Sequence, residues 1–183
     1  MNSQKLKTVL VTLLVEIVLL VVIAVVVIQT GAYDVAATNP HYGITEKILS
    51  TTMDKSVHKH AGGIEVSATY DSPDLDEGFE HYHEMCVTCH GAPGVDKSEA
   101  GEGLNPRAPD LSKSVTDLSP QEVFWILKNG IKMTGIPAFG PTHDDEKLWD
   151  LTAFVKRLPE MTPERYHEMA EDSESDEPME HHH

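Results

Sequence analysis

Apolar residues run almost unbroken from Val9 to Ile28, "VLVTLLVEIVLLVVIAVVVI", interrupted by Thr12 and Glu16 alone. Twenty helical residues at the usual rise reach roughly 30 Å, the thickness of a bilayer core. The pattern therefore predicts one N-terminal membrane-spanning helix over residues 1–30. Lys5 and Lys7 precede it, and Asp34 and Glu46 are among the first charges beyond it. By the positive-inside rule the N-terminus stays in the cytoplasm and the rest is exported. A cleaved signal peptide is the competing reading, with "TGA" or "VAA" offering small residues for cutting. The apolar run is longer than a signal core, which favours a retained anchor. Glu16 fits either a contact with a partner's membrane helix or a neutral acid tolerated near the inner leaflet.

Beyond the anchor the periodicity changes. Ile44, Ile48, Leu49, Met53 and Val57 recur at helical spacing, with Thr45 as a cap and Gly62-Gly63 as a stop. This connector, residues 31–74, is expected to lie on the membrane surface or on the domain behind it. "IEVSATY" reads as a short extended run ending in the turn cluster "DSPDLDEG". Three helices are then predicted within residues 75–159. The first runs from Asp76 to about Cys86. The second opens at Ser119-Pro120 with Glu122 closing a capping box, and stops at Gly130. The third starts near Asp144 or Asp145, carries Leu148, Leu151, Thr152 and Val155, and ends at Pro159. Two long loops rich in Gly and Pro separate them, as expected if they wrap something. Residues 160–183 read as an acidic, largely disordered tail with one short helix at Thr162-Pro163-Glu164. The final histidines, His181 to His183, are given no function.

Charge narrows the function classes. Thirty acidic residues against 14 basic leave a net charge of -16. Nucleic-acid binders carry basic patches, so no nucleic-acid partner is expected. Aromatic content of 6% is thin for a large core.

Cys86 and Cys89 are the only cysteines, and His90 follows directly. In C-x-x-C-H the two thiols can form thioether links to one porphyrin, and the histidine then falls beneath the iron. A thioredoxin-like pair would need a strand and parallel sheet, which this helical region does not offer. A zinc site would need further thiolates or histidines, and His81 and His83 point apart on a helix.

The stretch from Gly78 to Leu158 resembles a class I c-type cytochrome domain. Gly78, Tyr82 and Cys86 look like the glycine–aromatic–cysteine face of that family's N-terminal helix, which the C-terminal helix would cross through Trp149 or Phe154. "NPRAPDL" resembles the loop whose proline carbonyl accepts the ring N–H of the proximal histidine, which points to Pro109 first and Pro106 second. The resemblance implies a mainly α, class I cytochrome c-like domain wrapped around one covalently bound haem c. Cys86 and Cys89 would carry it, with His90 as proximal and Met133 as distal iron ligand. "GIKM" looks like the run before the distal methionine of mitochondrial-type members. Many bacterial members instead have Met-Pro-Ala-Phe where this chain has Ile136-Pro137-Ala138-Phe139. An open distal side, or one filled by His143, therefore stays as an alternative. Arg107 would pair with a propionate or sit solvated on its loop. Trp125, Phe139 and Trp149 are expected on the ring or in the plain core, and His58 and His60 on the surface.

No catalytic constellation is visible apart from the haem, and no small-molecule substrate is evident. The expected function is a membrane-anchored monohaem cytochrome c, not an enzyme, passing single electrons between redox partners on the periplasmic face of the cytoplasmic membrane. The acidic surface favours a partner with a basic docking patch. The alternatives are a haem-based gas sensor or small haem enzyme with an open distal site, and a fixed cytochrome subunit of a respiratory complex.

Overall fold

Side-chain caps set most of the α-helix starts in this protein, and the computed structural model describes residues 2–176. Two contact units are present, one up to Asn39 and one from Pro40 onward. The first is a single helix, α1 (Ser3–Thr30), with no buried residue and Gly31 turning left-handed at its end. It is long and apolar enough to cross a membrane. Every large apolar side chain from Leu6 to Ile28 stays open to its surroundings.

The second unit is built from α2 (Gly43–Ala61), α3 (Ala68–Asp71), α4 (Leu75–Met85), α5 (Val87–His90), α6 (Glu99–Glu102), α7 (Leu111–Ser114), α8 (Pro120–Asn129), α9 (Asp145–Arg157) and α10 (Pro163–Asp176). Among the described residues there is no β-strand, only a bridge between Ala92 and Val95. Asp74 caps α4 by accepting from the amides of Asp76 and Glu77. Ser119 and Glu122 close the capping box of α8, with Pro120 at its first turn. Asp144 caps α9 through the Lys147 amide. Each cap occupies donors that would otherwise be left unpaired at a helix start.

The core forms where α9 crosses α4. A Cβ on Gly78 would lie 2.6 Å from the Asp150 carbonyl oxygen and 3.0 Å from Phe154 Cβ, so the backbones meet where Gly78 has no side chain. Phe154 is the aromatic residue at this crossing, packed against Phe79 and Tyr82. Trp149 instead stacks on Phe124 of α8 at 4.2 Å, with Tyr70 at its edge. Lys156 reaches across from α9 and donates to the carbonyls of Val115 and Leu118.

Three segments depart from the sequence expectation. "IEVSATY" gives a coil and then α3, because the Ser67 hydroxyl accepts from the Thr69 amide and starts a helical turn. α2 does not present one apolar face. Val57 and Ala61 are buried, and α8 packs along this helix, whereas Ile44, Ile48, Leu49 and Met53 are exposed. The third is the helix expected to be short at Thr162-Pro163-Glu164, which is α10 and continues to Asp176. Tyr166 is fully buried and Met169 nearly so, and Tyr166 packs on Phe79 and Tyr82. Two apolar residues one turn apart fasten a helix whose average composition is acidic. His181, His182 and His183 lie outside the described residues.

Candidate haem site

The cysteine motif sits on a helical corner. α4 ends at Met85, Cys86 serves as the junction, and α5 carries the next four residues through His90. The amides of Cys89 and His90 both donate to the Cys86 carbonyl, at 3.1 and 2.9 Å, so the three side chains leave one short turn. Both thiols are free; Cys86 is buried and Cys89 half-buried. Burial, with a smaller contribution from Cys89, pushes the Cys86 thiol up to about 12, so as a free thiol it stays protonated at neutral pH.

One side chain of α4 and two loops converge on this turn. Tyr82, fully buried, donates its hydroxyl to the Gly91 carbonyl at 2.6 Å and fixes the chain just after His90. Ser98 bonds back to the Thr88 carbonyl through both its amide and its hydroxyl. Lys97 donates to the Ala108 carbonyl, tying the loop after α5 to the loop before α7. In that second loop, which contains a cis Asn105–Pro106 bond, the Pro109 carbonyl lies 2.8 Å from His90 Nδ1. Pro106, the second candidate, is exposed. Burial lowers the His90 pKa, the Pro109 carbonyl raises it, Lys97 lowers it, and the net direction is down. A neutral ring whose Nδ1–H donates to Pro109 keeps its Nε2 lone pair free, the form in which imidazole binds a metal.

Met133 lies in the other long loop. Its side chain is 92% exposed, the most exposed large apolar group among the described residues. It is also the one described non-glycine residue with positive φ, at 61°. The loop is closed at its base. The amides of Phe139 and Gly140 donate to the Leu127 and Lys128 carbonyls, each at 3.0 Å. Gly130, at φ 64°, lies so close to Pro137 and Ala138 that a Cβ would meet their backbone at 2.8 Å.

The remaining sequence candidates fall elsewhere. His143 packs edge-on against His81 of α4, ring centres 5.1 Å apart, and its Nδ1 is 2.9 Å from the Thr142 hydroxyl. His83 turns to Phe79 and Tyr166. Arg107 pairs with Glu102 at 3.6 Å, both exposed. Trp125 stacks with His60 of α2 at 5.5 Å, and His58 donates to Glu122 at 3.1 Å while remaining exposed. Phe139 meets the edge of the His143 ring. Sequence reasoning missed the roles of Tyr82, Lys97 and Ser98 in holding the loops; of these, only Tyr82 carried a signal, its four-residue spacing from Cys86.

These residues fit a covalently held haem. Two thiols leave one turn, the neighbouring imidazole has one nitrogen engaged and one free, and a thioether stands out from a loop closed at its base. Among the described residues no three His, Cys, Asp or Glu side chains converge as a bare metal ion would require.

Comparison with known proteins points the same way. A family model described as cytochrome C oxidase, cbb3-type, subunit III matches residues 73–155. The chain is also 31% identical over 86 residues to a protein of Thauera butanivorans named 1-butanol dehydrogenase (cytochrome c). That alignment covers 47% of this chain and 11% of the relative, so the chain spans about a tenth of the relative's length.

Proposed function

We propose that residues 73–155, which the family model matches, form a c-type cytochrome domain, and that the chain is a membrane-anchored monohaem carrier of single electrons on the periplasmic face of the cytoplasmic membrane. Electron transfer with redox partner proteins is what such a domain does. When bound, haem supplies a one-electron iron couple whose potential is raised by thioether ligation. Cys86 and Cys89 would hold it covalently through thioether links, and His90, with Nδ1 engaged by Pro109, would offer Nε2 to the iron. Pro109 accepts from Nδ1 and so sets the ring's orientation and basicity. Met133, exposed on its closed loop, would supply a thioether to the iron. Arg107, held by Glu102 on the neighbouring loop, is a further group for a propionate.

The observation that carries this reading is the 2.8 Å pairing of His90 Nδ1 with Pro109 O directly behind two free cysteines. The anchor reading is supported by the length and apolarity of α1 with Lys5 and Lys7 ahead of it. The net charge of -16 suits a partner with a basic docking surface.

The test is the absorption spectrum of the oxidised protein beside Met133→Ala, with carbon monoxide added to the reduced forms. A far-red sulfur–iron band in the wild type, lost in the variant, with no carbon monoxide shift in the wild type, is the expected result. A wild-type haem without that band that binds carbon monoxide readily would replace the carrier with a gas sensor or small haem enzyme.

A second reading is a fixed cytochrome subunit of a larger assembly. The family match to an oxidase subunit and the relative's dehydrogenase name both favour it. Purification in mild detergent separates the two, since a tight stoichiometric complex supports the subunit and a free anchored protein supports the carrier.

A further inference from the structure

α2 is attached to α8 on one side and bare on the other. Val57 and Ala61 are buried, His58 bonds Glu122, and His60 stacks on Trp125. At about 100° per residue, Ile44, Ile48, Lys55 and Lys59 fall within about 60° of one another, and at least about 100° from Val57 and Ala61. All four are exposed, Ile44 at 70% and Ile48 at 57%. The helix's two acids, Glu46 and Asp54, lie at least about 80° outside that arc. A protein of net charge -16 thus gathers an apolar pair and two lysines on one outward face.

We propose that this face of α2 rests on an anionic lipid bilayer, with Ile44 and Ile48 entering the headgroup boundary and Lys55 and Lys59 meeting lipid phosphates. Apolar residues beside lysines on an otherwise acidic molecule are what such a surface binds. Chain length agrees. Residues 31–42 separate the end of α1 from the start of α2, and they reach at most about 43 Å fully extended. α2 therefore never leaves the neighbourhood of the bilayer that holds α1. The inference rests on the anchor proposed above. A second copy of the chain, or another protein, covering this face instead of lipid is an outcome that the experiment below separates. A bilayer supplies apolar and anionic groups together.

The experiment uses the full chain in vesicles, with a photo-crosslinking benzoylphenylalanine placed at Ile48, at Asp54 or at Leu19 in separate samples, and adducts identified by mass spectrometry. Lipid adducts at 48 but not at 54, more abundant with phosphatidylglycerol than with phosphatidylcholine alone, are expected. Lys55→Gln with Lys59→Gln should lower that yield about fivefold for each lysine neutralised. Lipid adducts at 19 with none at 48 would overturn the inference and leave the anchor intact. Absence of lipid adducts at both positions would overturn both. Protein adducts at 48 in place of lipid would mean that a second chain covers this face and would also overturn it.

Discussion

At Gly78 one missing carbon atom sets the distance between α4 and α9. A Cβ there would sit 2.6 Å from the Asp150 carbonyl oxygen, which is backbone and has no rotamer to move into. Gly78→Ala is expected to cost about 1–3 kcal/mol in denaturant unfolding, as overpacked cores do; an unchanged midpoint would show that the crossing loosens freely. The same crossing holds the buried Asp150, whose carboxylate accepts from the Asp74 amide at 2.8 Å. Burial raises its pKa, the Asp74 hydrogen bond lowers it, and the nearby Glu77, Asp74 and Glu146 raise it, leaving the net direction upward. A raised acid binds more protons in the folded state, so its contribution to stability is complete below the unfolded value and is lost as pH rises through the folded one. Asp150→Asn keeps the acceptor and removes the charge. It should be more stable than the wild type at pH 7, with the difference shrinking below about pH 4; a pH-independent difference would refute this.

At the scale of elements, what was legible in the sequence is what a few adjacent residues decide. Ser119-Pro120 with Glu122, and Asp144 before an apolar stripe, fix the starts of α8 and α9 because a cap acts within one turn. Cys86, Cys89 and His90 are legible for the same reason, being contiguous. α6 and α7 went unread because each is one turn, held by Ser98 or Asp110 inside loops that look merely polar. The choice between Trp149 and Phe154 at Gly78 stayed open because both lie on the buried side of α9, and only the three-dimensional crossing separates them. The Arg107–Glu102 and His143–His81 contacts join residues brought together by loop paths that no local pattern specifies. α10 was obscured by averaging, since its acids dominate the composition while Tyr166 and Met169 decide the packing. Tyr166→Ala should cost about 3–5 kcal/mol in thermal or chemical unfolding. Tyr166→Phe, which gives up only the bond to His83, should cost about 1 kcal/mol. If both were neutral, α10 would be an appendage and not part of the core.

Across the whole molecule, the proposed reading gives charge and tether separate tasks: charge would steer encounter, and the tether would set where encounters occur. An acidic exterior attracts a basic partner over about 10 Å at moderate ionic strength. A single membrane helix would confine the search to a thin layer and raise the effective concentration of any neighbour in that layer. Electron exchange with a basic partner protein should therefore slow by about tenfold or more between low salt and 0.5 M, whereas exchange with an acidic one should speed up. Stopped-flow mixing at graded salt reads this directly, and a flat dependence would remove charge from the account of partner choice.

The loop carrying Met133 has a longer-range consequence. Its base is stitched to the last turn of α8 by the amides of Phe139 and Gly140 and by the close contact at Gly130. Between those posts, exposed positions such as Lys132 and Met133 are expected to exchange with little effect on the helices that hold them. If Met133 is the iron ligand proposed above, the chain has a bounded interval in which that ligand could migrate by mutation. Methionine at 133 with isoleucine at 136 would then be one setting of this segment and methionine at 136 another, reached while every helix stayed in register.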